Sequence, residues 1–425
     1  MIKCLRNICG ILLFLAVSLS ILVSCEGVDD NPPVREEKNR TLLIYMAANN
    51  DLSPNAAANL DALKSGYIPE EEGNLVVYYH IPGSNPLLLH LNGGQGAVAV
   101  DTVYRFPALN SATGEALSSA MNVTRTLFPA KDYGLILWSH ATGWLPEGVY
   151  SESVSGGRHS AASFAQGVES QSGRYEHLVK LDKSAFKYGG CGADTRSFGR
   201  DGASEMEITE MVEALPYKVS FVIFDACFMG GIEVAYQMKD STDYLLFSPA
   251  EVLSTGFPYD KIAQPLFAGT PDLQSVAEEF YNFYNSQSGV MRSATVSLVR
   301  TAGLDRVAQE AKKLFDLYRD RIESLNKEKI QGYFRQKSVP FFYDLQDFMQ
   351  NLAGEGNSIA DFRIALDEAV IYKASTPYFI ELYIDNDKYS GLSSYIPDYS
   401  DEELISYYKT LDWNVETQMI ADEAL

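Results

Sequence analysis

Apolar residues in this chain come in short unbroken runs, separated by stretches with a helical period. TLLIYMAA (41–48), NLVVYYHI (74–81), YGLILWSH (133–140) and VSFVIFDAC (219–227) are the clearest runs. A segment apolar at successive positions is buried on both faces, which marks a strand inside a parallel sheet covered by helices. GEALSSAMNVTRTLF (114–128) and EMEITEMVEAL (205–215) carry apolar residues at helical spacing and predict helices before the third and fourth strands. Strand and helix alternate again through LQSVAEEFYNFYN (273–285), SATVSLV (293–299) and LDRVAQEAKKLFDLYRDRIESLN (304–326), with no repeat and no Pro- or Ser-rich linker. The pattern predicts an α/β fold with a mostly parallel central sheet. Residues 41–265 form its core, and residues 266–425 pack on that sheet or extend it.

Between Thr142 and Ser204 the periodicity stops. This stretch is rich in Ser and Gly, and a loop of such length inside a domain is usually functional or mobile. Arg158, Arg174, Lys180, Lys183, Lys187, Arg196 and Arg200 make it a candidate processing region.

The N-terminus changes the picture of where the protein works. Lys3 and Arg6 precede a short apolar stretch, Ile11–Val23, and a polar segment follows, as in an export signal rather than a membrane span. Leu22-Val23-Ser24-Cys25 resembles a bacterial lipoprotein box, which implies a leader over residues 1–24, lipid attachment at Cys25 and a tether over residues 25–40. An ordinary cleaved signal peptide is the alternative. The expected location is the cell envelope, anchored to the outer membrane by lipid, and otherwise the periplasm or the medium.

Composition narrows the partners. The formal net charge of −22 excludes phosphate binding by clustered Lys and Arg, so nucleic acid is not a partner. An acidic chain of this kind attracts cationic ligands instead. Of five cysteines, Cys4 and Cys9 leave with the leader and Cys25 takes the lipid. Cys191 and Cys227 remain, in a compartment that permits a disulfide between them.

Ligands of parallel sheets bind beyond the carboxyl ends of the strands. Two runs end in reactive side chains there: His140 after YGLILWS and Cys227 after VSFVIFDA. A thiol attacks a carbonyl as thiolate, and an imidazole takes its proton and returns it to the leaving amine. On pattern alone, His140 is equally a polar strand tip and Cys227 a small buried hydrophobe. His80 and His90 read as turn and core residues, and His159 and His177 as solvated ones. No spacing matches a zinc site, an EF-hand, a Walker A loop or a G-x-S-x-G elbow.

Six segments in order carry a resemblance: YMAANNDL (45–52), FPAKDYGLILWSHATGW (128–144), FVIFDACFMGGIEVAYQM (221–238), SPAEVLSTGFPYD (248–260), FFYDLQDFMQNL (341–352) and GLSSYIP (391–397). Together they resemble the clostripain-like cysteine peptidases, of the clan that includes caspases and gingipains. The resemblance implies a caspase-like three-layer α/β sandwich, with Cys227 as nucleophile and His140 as general acid and base. Backbone N–H groups of Cys227 and of Ala141 or Gly143 would hold the oxyanion. Family members usually carry Gly where this chain has Ala141, which puts the tightness of that turn in question. Asp225 lies on the same strand side as Cys227, where its charge disfavours a thiolate. In the family that aspartate lines the pocket for the residue before the scissile bond and selects Arg or Lys. Glu251 is a further candidate for that pocket, and Asp243 a weaker one. The expected activity is endopeptidase cleavage after basic residues in proteins or peptides. The competing class is a catalytically silent surface-binding lipoprotein. No cofactor is required by the residues, no metal site is expected, and a calcium requirement stays open.

Overall fold

The computed structural model describes residues 35–66, 73–93, 98–146, 198–201, 204–333 and 341–421. The apolar runs become the middle of a nine-stranded sheet. Its central strands are β1 (Lys38–Ala47), β2 (Gly73–His80), β5 (Ala130–Trp138), β8 (Val219–Asp225) and β9 (Thr242–Phe247), all parallel. Leu42 to Ala48 and Phe221 to Phe224 are almost fully buried, as strands covered on both faces require.

Antiparallel strands flank this parallel centre. On one side lie β3 (Leu87–Asn92) and β4 (Ala99–Arg105), and on the other β10 (Thr295–Arg300) and the edge strand Val370–Ser375, so that from this edge the order runs β10-β9-β8-β5-β1-β2-β3-β4. Residues beyond 265 therefore extend the core's own sheet. Two groups of helices pack within themselves. One holds Ser53–Ser65, Tyr259–Leu266 and Leu273–Asn285, and the other runs from Gly114–Leu127 through Ile208–Ala214 and Ile232–Met238 to Asp412–Thr417 and Leu304–Tyr318.

Two predicted helices are shorter than the sequence pattern. The one expected over 205–215 spans Ile208–Ala214, because β7 (Ser204–Met206) pairs with β6 (Phe198–Asp201). The one expected over 304–326 ends at Tyr318 and tightens to a 3₁₀ turn over Arg319–Ser324, a common way for an α-helix to finish. Most of the stretch 142–204 lies outside the described residues, as do 1–34 with Cys25, Cys191, His159 and His177.

Candidate active site

Register brings the reactive strand ends together. β5 and β8 are neighbours, with Trp138 opposite Asp225. His140 and Cys227 each stand two residues further along, so they leave the sheet level with each other.

Both chains turn sharply as soon as they pass this point. Phe228 adopts φ +60, unusual for a residue with a Cβ, and Gly143 adopts φ +70. A Cβ on Gly143 would lie 2.7 Å from the Phe228 carbonyl oxygen, so the His140 and Cys227 turns touch there and only glycine fits. Among the described residues the Gly143 N–H donates to none. Ala141 is bridged to Phe198.

The Cys227 turn is laced on two sides. Phe228 N–H donates to Ala250 O at 2.8 Å and Gly230 N–H to Ser248 O at 2.8 Å. Cys227 is a buried thiol, its Sγ 3.6 Å from Val252 O and 3.4 Å from Val252 N. From the far end of the chain, Ser393 N–H donates to Gly230 O at 2.9 Å, and Phe342 stacks on Phe228 with ring centres 4.7 Å apart. Glu233 follows on the next helix, fully buried. Its Oε1 accepts from Tyr395 N, Ser394 Oγ and Tyr408 Oη. Burial pushes that carboxyl up, and these donors hold the C-terminal segment against the turn.

Asp225 ends β8 with only 5% of its surface exposed. Its Oδ2 accepts from Phe257 N at 3.1 Å and Tyr259 Oη at 2.9 Å, while Oδ1 takes no hydrogen bond from a described residue. Burial pushes its carboxyl up to about 6. Gly256, at φ +71, lets the backbone close over it, since a Cβ would stand 2.4 Å from Oδ2. Glu251 is buried beside Val252 in the same loop. Asp243 sits near the amino end of β9, exposed and paired with Lys218 at 2.7 Å, away from this loop.

One contact was not anticipated from the sequence. His140 Nε2 lies 3.0 Å from Asp51 Oδ1, at the end of the turn that follows β1. The hydrogen bond from His140 holds the Asp51 carboxyl below its ordinary value. The signal was in the quoted segment YMAANNDL, but the neighbourhood of β1 and β5 had to be known to read it.

The other histidines are accounted for structurally. His80 is buried against Ser111 Oγ at 3.0 Å, and burial lowers its value. His90, lowered to about 4 by burial, packs on Phe128. Among the described residues no group of three or more His, Cys, Asp or Glu side chains is placed to hold a metal ion. Of the basic residues noted in the stretch 142–204, Arg200 is described; it lies in β6 with its carbonyl accepting from Asn50.

A model of the clostripain family matches residues 44–156 and 185–420, across both strand ends, the turn after Cys227 and the C-terminal segment that holds it. The chain belongs to the clostripain family. It is therefore a cysteine peptidase, and its sheet is the caspase-like one of that family. Among solved structures, this clostripain-family chain is 29% identical to an inactive zymogen C11 protease from Parabacteroides distasonis. That match covers 90% of this chain and 99% of the other, with a TM-score of 0.72. A secreted C11 cysteine protease from Bacteroides thetaiotaomicron, solved with an irreversible peptide inhibitor, is 24% identical over 89% of this chain and 99% of that one, at a TM-score of 0.69, and supports the fold. No curated protein matches.

Proposed function

We propose that this clostripain-family peptidase is exported and cleaves polypeptides after Arg or Lys, with Cys227 as nucleophile and His140 as its acid and base. The observation that carries the reading is the register of β5 against β8, which delivers the two side chains level at one sheet edge. His140 takes the thiol proton, and the Cys227 sulfur bonds the carbonyl carbon after the basic residue. The N–H groups of Cys227 and Gly143 receive the oxyanion; Gly143 is better placed than Ala141 because it touches the Cys227 turn. As the C–N bond breaks, His140 passes the proton to the amine, and water then frees the acyl group. Asp225 receives the basic side chain, with Glu251 nearby in the same loop. The reaction as written uses no cofactor.

An irreversible Arg-ketone probe should label the protein once, on the peptide that contains Cys227, and an Asp-ketone probe should not. Equal labelling by both, or labelling elsewhere, would remove the basis of the proposal.

Export and anchoring are read from Lys3, Arg6 and the segment Leu22–Cys25. No helix among the described residues is long and apolar enough to cross a membrane. In its native host the protein is expected in the detergent phase, and Cys25→Ala is expected to move most of it to the aqueous phase. If the variant partitions as the parent does, the lipid anchor is not at Cys25.

A further inference from the structure

We propose that Asp51 is a positioning residue for His140, so that three neighbouring strand ends carry the site. The proposal rests on the His140–Cys227 reading and adds the group on the opposite flank of the imidazole. In the sheet, β5 lies between β1 and β8. Met46, Trp138 and Asp225 stand in one row across these strands. The chain beyond Trp138 therefore leaves the sheet with the Cys227 turn on one side and the turn after β1 on the other.

An exposed carboxylate near a histidine is ordinarily worth little, and the Asp51 side chain is 63% exposed while that of His140 is 5% exposed. What sets this one apart is how firmly its backbone is held. Asn50 Oδ1 accepts from Leu52 N at 2.9 Å, closing the turn around Asp51. Asn50 Nδ2 donates to Ala47 O at 3.1 Å and to Arg200 O at 2.9 Å. Asn49 Nδ2 donates to Asp201 Oδ1 at 2.6 Å. The strand that braces this turn also holds the histidine, since Gly199 N–H donates to His140 O at 2.9 Å. Donor and acceptor are thus fixed to one short strand, β6. The Asn49 and Asn50 side-chain amides fix the backbone from which the carboxylate projects.

The chemistry follows from which nitrogen is taken. With Nε2–H donating to Asp51, the neutral ring keeps its lone pair on Nδ1. Nδ1 is then the atom that removes the Cys227 proton as the S–C bond forms, and that returns it to the amine nitrogen as the C–N bond breaks. The imidazolium formed between these steps lies against a carboxylate. Among the described residues, the other charged group that acts on Asp51 is Arg200 on β6, whose charge also favours the carboxylate.

The test compares Asp51→Ala, Asp51→Asn and Asp51→Glu with the parent and with Asp61→Asn, an exposed acid on the following helix. Asp51→Ala is expected to lower kcat by about 10- to 100-fold, a part of the roughly 10²–10⁴ that a placed acid–base group supplies. KM should stay near the parent value. Asp51→Asn keeps an acceptor without the charge, so it should fall between and shift the acid limb of the kcat/KM profile, set by protonation of the base, to lower pH. Asp51→Glu should recover part of the rate, and Asp61→Asn should match the parent. Unchanged kcat and pH profile in Asp51→Ala overturn the proposal, as does a loss carried by KM with an unmoved limb. A rise in kcat also overturns it, because the carboxylate would then be restraining the ring. Failure of the underlying reading looks different: Cys227→Ala would remain active whatever Asp51 does.

Discussion

Cys227→Ala is expected to abolish peptide turnover, with a fall in kcat of roughly 10⁴-fold or more, while a basic peptide still binds. Only the sulfur is removed. The turn that presents it is held by Ala250, Ser248, Ser393 and Phe342, none of which touches Sγ through the bonds that fix the backbone. The variant should therefore keep its fold, and its stability should fall by no more than a small core truncation allows, about 1–2 kcal/mol. Cys191→Ser, by contrast, is expected to retain most activity, because Cys227 is a thiol in the folded protein. Turnover by fluorogenic Arg and Lys peptides, beside binding of the same peptides by calorimetry, measures both statements. Activity in Cys227→Ala, or a 191–227 bridge in the mass spectrum of an enzyme that Cys191→Ser inactivates, would contradict them.

Asp225→Asn is expected to cut the preference for Arg or Lys over neutral residues by about a hundredfold or more, leaving Cys227 open to alkylation. A buried carboxylate left opposite a neutral side chain carries a desolvation penalty of a few kcal/mol, and a bidentate Arg contact removes it. The bonds from Phe257 N–H and Tyr259 Oη can go to the Asn oxygen as well, so the strand end should survive. The pH behaviour separates charge from shape. In the parent, Asp225 titrates at about 6 because it is buried. KM for an Arg peptide should rise as pH falls through that value, and the variant's KM should be flat there. For stability the sign is opposite to that of a paired acid. The folded value lies above the unfolded one, so the folded state holds its proton more tightly and loses stability as pH rises from about 4 to about 6. At pH 7 the neutral Asn should thus hold or raise the melting temperature. A folded variant with full Arg selectivity would move the pocket charge to Glu251.

The sequence made the centre of this fold readable for a physical reason: strands buried on both faces have no polar alternation to blur them. β1, β2, β5 and β8 were visible as runs. β4 was not, because its AVDTVYR is largely exposed and mixes polar with apolar residues at the sheet's edge. His140 and Cys227 stood out because each interrupts an apolar run just where parallel strands bind ligands. Asp51 did not, since an acid after two asparagines is what any turn looks like. Its meaning depends on β1 and β5 being neighbours, which no local pattern states. The stacking of Phe342 on Phe228 and the bond from Ser393 to Gly230 join segments too distant in sequence for spacing to reveal.

That last bond has a bearing on the timing of activity. The turn carrying Cys227 borrows a donor from residue 393, and the helix behind it borrows donors from Ser394, Tyr395 and Tyr408, all far downstream in the sequence. A polypeptide whose synthesis has not yet passed residue 393 has none of these in place. Its thiol is present long before the surroundings that present it. The order of synthesis alone therefore leaves the Cys227 turn without these braces until the downstream segment has been made and has folded onto it.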